Sequence, residues 1–248
     1  MLRYQRHGEP ASLWLSDKAI LDGSKPIRGG IPLCWPWFGP SPARVGSGKP
    51  AHGFARNCLW TLDGVSDHGD GTLVHLSLRD NDASRTLWPH AFELELDVLV
   101  GKELSLVLTT RNTGKSALTY NAALHTYLQI SAPEAVTVTG LGEPYLDKLT
   151  GRNELQQGAL TVTAAMDRIY RQPDAMVSVQ DGERTTRVVN GNHDSVVVWT
   201  PWQEGASAMA DMSDNGYRTM LCVEAAITAE DGITVQPDEE HSFSTVII

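Results

Sequence analysis

The sequence predicts an all-β protein, a large antiparallel β-sandwich that forms one domain over residues 1–248. Three observations predict it. Many short apolar stretches are separated by turn residues, one stretch has a clear hairpin pattern, and strands do not alternate with helices. No repeat, linker or change in composition divides the chain, so a single folding unit is expected.

The clearest element is a hairpin over residues 92–110. Apolar side chains occupy every second position on both sides of Gly101 and Lys102, and polar or charged side chains fill the positions between. Alternation around a short break that contains glycine is typical of an antiparallel pair with one solvated face.

The other elements are shorter and are bounded by Gly, Asn and Asp turns. Short helical turns are predicted only at 82–88 and 206–212. Further strands are predicted at 73–78, 118–130, 135–139, 160–163, 176–179, 186–189, 196–199, 220–226, 233–236 and 242–248.

Composition and charge exclude several classes of function. The formal net charge is −10, which argues against a nucleic-acid partner or an anionic membrane surface, since binders of either show a basic excess. No apolar run is long enough to span a bilayer, and the first residues lack the apolar core of a signal peptide. We therefore expect a cytoplasmic protein.

The cysteines and histidines indicate neither a disulfide framework nor a metal site. Cys34, Cys58 and Cys222 are few, odd in number and widely spaced, as expected for reduced thiols in the cytosol. The eight histidines do not cluster at the spacing of metal ligands. We expect no metal.

The segment 25–56 interrupts the pattern of strands. It is dense in Gly and Pro, and long stretches without regular structure are usually functional. Two interpretations stay open: a loop pinned to the core by its tryptophans, or an anion site built on guanidinium groups. The residues concerned are Trp35 and Trp37 for the first, and Arg28, Arg44, Lys49 and Arg56 for the second.

Two polar residues lie inside apolar strand patterns. His125 would share a semi-polar strand face with Tyr127, and Glu224 is flanked by apolar residues on both sides. Burying a carboxylate is costly unless it is paired or lines a cleft. Each residue could be structural, and together they could form an acid–base pair; spacing in the sequence does not decide between these alternatives.

Several long motifs resemble those of one known family. The runs KPIRGGIPLCWPWFG, AHGFARNCLW, ALHTYLQI, GLGEPYLDKL, DRIYRQP, VVVWTPW and DMSDNGYRTMLCVEAA are similar, in order, to those of the D-hexose-6-phosphate mutarotases of the aldose 1-epimerase superfamily. The resemblance covers nearly the whole chain and implies a β-supersandwich of the galactose mutarotase type. In that family a longer segment precedes the Leu-Trp-Leu-Ser run, which leaves two alternatives: the start of the sequence is trimmed or misassigned, or the sheet lacks N-terminal edge strands.

The resemblance implies a mechanism in which the hexose ring opens and closes again. His125 would be the general acid at the ring oxygen, and Glu224 the general base at the anomeric hydroxyl. His52 would orient the sugar oxygens, and Asp167 would bind sugar hydroxyls. This chemistry needs no cofactor, and we expect none.

The resemblance places Arg28 and Arg56 at the phosphate of the substrate. Lys49 is a further phosphate candidate, in a segment whose length varies within the family. The expected partner is a small phosphosugar, and glucose 6-phosphate is the first candidate. The expected oligomeric state is a monomer or a weak homo-oligomer. A non-catalytic phosphosugar-binding protein and a glycoside-cleaving enzyme on the same scaffold are the alternatives.

Overall fold

The structure is a computed structural model that describes residues 1–248, and it confirms the all-β prediction. Nineteen strands, numbered in chain order, account for most of the regular structure. They are β1 (Leu33–Cys34), β2 (Thr61–Asp67), β3 (Gly71–Arg79), β4 (Phe92–Gly101), β5 (Leu104–Asn112), β6 (Leu118–Tyr120), β7 (Ala122–Leu124), β8 (Tyr127–Gln129), β9 (Val136–Thr139), β10 (Pro144–Asp147), β11 (Arg152–Leu155), β12 (Leu160–Thr161), β13 (Met166–Tyr170), β14 (Met176–Asp181), β15 (Arg184–Gly191), β16 (Ser195–Thr200), β17 (Met220–Ile227), β18 (Ile233–Val235) and β19 (Glu240–Ile247).

These strands form two large sheets and one small one. The first sheet has eight strands in the order β1-β7-β17-β16-β13-β10-β11, with β8 also paired to β17. The second has nine strands in the order β12-β9-β14-β15-β19-β5-β4-β3-β2, and β6 pairs with β18. All strand pairs are antiparallel. One cluster of 43 buried apolar residues draws side chains from both large sheets, which is the core of a sandwich.

The predicted hairpin is present as β4 and β5. Its register places Leu96 opposite Leu108, and buried side chains alternate with half-buried or exposed ones along both strands. The apolar face of the hairpin lies in the core, as a period of two requires.

Helices are few and short. The helix α1 (Asp82–Leu87) agrees with its prediction and begins at Asn81, whose side chain accepts a hydrogen bond from the backbone N–H of Ser84. The second prediction, 206–212, is wrong in position: α2 spans Trp202–Ser207 and begins directly after Pro201. Short 3₁₀ turns lie at Ala55–Asn57, Pro133–Ala135 and Gly216–Thr219. No helix is both long and apolar enough to cross a membrane.

Several strands with mixed or polar side chains were not predicted from the sequence. They are β2, β10, β11 and β13; β11 is exposed along its whole length, so it has no apolar face to detect. The single strand predicted over 118–130 is instead divided into β6, β7 and β8. The break between β7 and β8 falls at His125 and Thr126.

The segment 25–56 is pinned to the core by its tryptophans, as the first of its two interpretations predicts. Trp35 and Trp37 are fully buried, and the indole of Trp35 donates to the Thr110 hydroxyl oxygen at 3.1 Å. Gly53 has φ of +68°, and a Cβ there would overlap the carbonyl group of Trp35. The tryptophans therefore fix the path of the segment.

The first 32 residues form no strand and are tied to the sandwich by isolated bridges. Leu13 pairs with Leu128 of β8, and Leu15 pairs with Gly29. These bridges place the start of segment 25–56 beside the strand that follows His125.

Candidate active site

A cavity of about 480 Å³ opens on one face of the first sheet. Strands β13, β16 and β17 supply one wall, and segment 25–56 supplies much of the rest. Six of the seven predicted site residues line this cavity: Arg28, His52, Arg56, His125, Asp167 and Glu224. Residues far apart in the sequence thus meet in one place.

Glu224 lies at the middle of the most buried strand. All eight residues of β17 are buried, and Glu224 is only 1% exposed. His125 lies in the break between β7 and β8, where its backbone N–H donates to the Pro32 carbonyl at 3.0 Å. Its Nε2 lies 3.4 Å from Oε1 of Glu224. The imidazole and the carboxyl group therefore form a close, desolvated pair.

Burial disfavours the charged form of each member of this pair. It raises the pKa of Glu224 well above its ordinary value, with Asp167 acting in the same direction. Burial also lowers the pKa of His125, and the charges of His52, Arg56 and Arg28 lower it further. Burial therefore favours the form in which the pair carries no net charge and the two groups share one proton.

Two polar atoms of the pair have no protein partner. Nδ1 of His125 and Oε2 of Glu224 are both buried without a hydrogen bond. Buried polar atoms are rarely left unpaired, and each unpaired atom costs about 1–3 kcal/mol. A ligand with hydroxyl groups, bound in the cavity, could satisfy them.

His52 is held as a neutral donor. Its Nδ1 accepts a hydrogen bond from the Gly39 backbone N–H at 3.2 Å, so the ring proton is on Nε2. Burial and nearby cations, Arg56 first, lower its pKa to about 3. Its ring contacts those of Phe38 and His125, with centroids 4.9 and 5.9 Å away.

Two guanidinium groups enter the cavity. Arg28 donates from Nε to Oδ2 of Asp211 and from Nη1 to the hydroxyl of Tyr127, each at 3.2 Å. Arg56 donates from Nη2 to the Ala51 carbonyl at 3.0 Å, while its buried Nε has no partner. Both side chains are thus oriented by the protein and keep N–H groups for a ligand.

The cavity is more positive than the protein as a whole. Four Lys or Arg side chains line it, against three carboxyl groups, of which Glu224 resists ionisation. The sequence analysis missed two of these cations, Lys25 and Lys148, and one of the acids, Asp211. Lys25 begins segment 25–56 and could have been found there, whereas Lys148 follows an undetected strand.

Comparison with known proteins assigns the chain to a family. The family model for aldose 1-epimerase matches residues 1–247. The chain belongs to the aldose 1-epimerase family. It is accordingly an enzyme, an isomerase, as the resemblance of its motifs implied.

Relatives of this epimerase are similar along nearly its whole length. A protein of Salmonella typhimurium is 37% identical over 90% of this chain and 75% of its own, and one of Escherichia coli is 35% identical over 99% and 83%. Both carry the description "Putative glucose-6-phosphate 1-epimerase". A crystal structure from Salmonella typhimurium, described as that of a "putative mutarotase", superposes with a TM-score of 0.93 at 32% identity. The superposition covers 99% of this chain and 82% of that one.

A more distant structure supports the fold alone. The galactose mutarotase related enzyme of Lactobacillus acidophilus has a TM-score of 0.75 at 14% identity, and covers 99% of this chain and 89% of that one. The predicted sandwich of the galactose mutarotase type is thereby confirmed.

The remaining predicted residue of the epimerase, Lys49, lies elsewhere. It lines a separate cavity of about 420 Å³ with Trp88, and its ammonium group donates to the carbonyl of Leu87. Arg44 also lines that cavity and donates to the Asn121 side chain. The structure thus brings two of the four predicted cations of segment 25–56 to the active site.

One set of side chains in the epimerase has the composition of a metal site. A donor atom from each of His125, Cys222 and Glu224 lies within 4.8 Å of the others. Burial raises the pKa of the Cys222 thiol well above its ordinary value, so the sulfur keeps its proton. A protonated thiol is a poor ligand until a metal displaces that proton. We therefore interpret the histidine and the glutamate as an acid–base pair.

Proposed function

We propose that this epimerase interconverts the α and β anomers of hexose 6-phosphates, with glucose 6-phosphate as the first candidate substrate. The observation that carries the proposal is the buried pair of His125 and Glu224, with 3.4 Å between Nε2 and Oε1, at the base of a cavity lined by cations. The descriptions of the two bacterial relatives support the same substrate.

The pair has the properties that ring opening requires. In the form that reacts, the shared proton is on His125 and Glu224 is a carboxylate. Glu224 takes the proton of the anomeric hydroxyl, and His125 gives its proton to the ring oxygen, so the C1–O5 bond breaks and an aldehyde forms. Rotation about the C1–C2 bond exposes the other face of the aldehyde. Closure returns both protons with the roles reversed, so none is consumed. Because the pair holds one proton at the start and one at the end, the cycle is balanced.

The neighbouring polar groups bind and orient the ring. His52 donates from Nε2 to a sugar oxygen, because its Nδ1 is engaged by the Gly39 backbone. Asp167 accepts hydrogen bonds from sugar hydroxyls and is kept in place by Lys148, whose Nζ lies 2.8 Å from Oδ2. Fixing the sugar against the pair converts proton transfer into an effectively intramolecular step.

Arg28 and Arg56 bind the phosphate group. A guanidinium group offers paired donors in a plane and suits phosphate geometry. The buried Nε of Arg56 has no partner. The hydrogen bonds from Arg28 to Asp211 and Tyr127 use its Nε and Nη1, not its Nη2. The positive lining of the cavity explains how an acidic protein can select an anion.

Exchange spectroscopy by NMR tests the activity directly. Wild-type protein should accelerate exchange between the two anomers of glucose 6-phosphate, and should act less on glucose. Binding of glucose 6-phosphate without faster exchange would refute catalysis and favour a binding protein. Equal acceleration of glucose would refute the role assigned to the phosphate.

Matched substitutions test the phosphate site. Arg28→Met and Arg56→Met should each raise KM for glucose 6-phosphate while changing the rate with glucose little. Lys49→Met, which removes the same charge from the same segment outside the cavity, should leave both unchanged. If Lys49→Met weakened phosphosugar binding as much as Arg56→Met, the assignment would be wrong.

A further inference from the structure

Lys148 is held in place more firmly than a surface lysine. Its backbone N–H donates to the Asp167 carbonyl at 2.8 Å, and its Nζ donates to Oδ2 of the same residue at 2.8 Å. Its ammonium group also lies 5.5 Å from the centre of the Phe38 ring. Backbone, carboxylate and aromatic ring together fix one position for the charge.

This position is in the wall between two cavities. Lys148 and Phe38 line both the active-site cavity and an adjoining cavity of about 470 Å³. The side chain of Lys148 is 29% exposed and that of Asp167 is 21% exposed. The ion pair is therefore partly desolvated, and both of its members line the active-site cavity.

Asp167 and Glu224 lie on the two strands that flank β16. Asp167 pairs with Trp199, which pairs in turn with Cys222, two residues before Glu224. Since side chains two positions apart share a face, both carboxyl groups point to the same side of the sheet. Two carboxylates on one wall repel each other, and this repulsion opposes ionisation of the catalytic base.

We propose that Lys148 is a positioning residue: it fixes the Asp167 carboxylate as an acceptor for sugar hydroxyls and offsets its charge, so that Glu224 can act as a base. The proposal rests on the proposed function and extends it to a residue outside the acid–base pair. The electrostatics agree with the geometry, because Asp167 raises the pKa of Glu224 while Lys148 and Arg56 lower it.

The other charged groups around the pair remain in place when Lys148 is replaced. His52, Arg56 and Arg28 act on His125. Tyr127 of β8 stacks on the His125 ring, and the Cys222 thiol of β17 lies beside the pair. A change that follows removal of Lys148 alone is thus attributable to its ammonium group.

The test compares variants by the pH dependence of kcat/KM for glucose 6-phosphate. Lys148→Met keeps an unbranched side chain against Phe38 and removes the charge, so the pair binds protons more readily. The acid limb should move to higher pH by about one unit. Lys148→Arg, which keeps the charge, should leave the acid limb where it is in the wild type. Asp167→Asn should move the acid limb to lower pH. The double variant Lys148→Met, Asp167→Asn should return the acid limb towards its wild-type position, with a raised KM.

Control measurements separate this proposal from a merely structural role and from failure of the proposed function. Lys102→Met removes the same charge at the exposed β4–β5 turn and should leave the limb unchanged. Titration of the Glu224 carboxyl by ¹³C NMR, assigned with Glu224→Gln, needs no substrate and should show the same upward shift in Lys148→Met. An unshifted titration, or equal shifts in Lys148→Met and Lys148→Arg, would overturn the proposal even if wild-type protein is an active mutarotase.

Discussion

Replacing Glu224 by Gln should abolish catalysis and stabilise the fold at the same time. The side chain is 1% exposed, and its Oε2 has no partner. Burial raises its pKa above the value of 4.5 expected for an unfolded chain. Ionisation therefore weakens folding: the penalty is absent below about pH 4.5 and grows as the pH rises towards the folded-state pKa.

The magnitude of the stability change follows from the buried carboxyl group. Leaving a buried polar group without a partner costs about 1–3 kcal/mol or more when it is charged, and the amide of Gln stays neutral at every pH. For a chain of this length, 1 kcal/mol corresponds to a shift in Tm of about 2–4 °C. Glu224→Gln should thus melt about 2–12 °C higher at pH 8. Loss of the base should reduce kcat by about 10²–10⁴-fold, or about 3–5 kcal/mol of transition-state stabilisation.

Calorimetry and anomer exchange check the two effects on the same samples. The gain in Tm should be largest at pH 8 and should shrink towards pH 5, where the wild-type carboxyl becomes protonated at little cost. Glu103→Gln, at an exposed turn, is the matched control and should change neither Tm nor rate. A stability gain that does not vary with pH would refute the argument from ionisation, and wild-type activity in Glu224→Gln would refute its role as the base.

Three further changes test other parts of the structure. His125→Asn should lower kcat as far as Glu224→Gln does, and the double variant should lose little more, because the two groups act as one unit; additive losses measured by anomer exchange would contradict this. Gly53→Ala should reduce soluble expression and Tm sharply, since its Cβ would meet the Trp35 carbonyl group; a wild-type melting curve would show that the turn can relax. Trp35→Phe, which removes the bond to Thr110, should cost about 1–3 kcal/mol of stability in urea unfolding while KM stays unchanged, and a change confined to KM would count against a core role.

The fold could be predicted where burial leaves an alternating pattern in the sequence. Strands β4 and β5 place one face in the core, so their apolar residues recur with a period of two. Strand β11 is exposed throughout and β13 mixes polar with apolar residues, so neither carries that period. What holds them in the sheet is hydrogen bonding to neighbours that are distant in the sequence.

The site could be predicted only in part from the residues themselves. A histidine and a glutamate inside apolar strands indicated either structural residues or an acid–base pair. The resemblance of the motifs to a known family implied their roles. Their contact depends on β17 pairing with both β7 and β8 around His125, which sequence spacing does not reveal. Lys49 shows the opposite limit: it belongs to segment 25–56, but the path between Gly39 and His52 turns its side chain towards Leu87.

The burial of β17 determines how the enzyme loses its activity on heating. This strand is hydrogen-bonded on both sides and has no exposed residue, so its amide protons should exchange with solvent only when the whole sandwich opens. Glu224, the proposed catalytic base, is thus located in the part of the molecule that unfolds last. Activity should therefore persist up to global melting and disappear in the same step, without a preceding phase of partial inactivation.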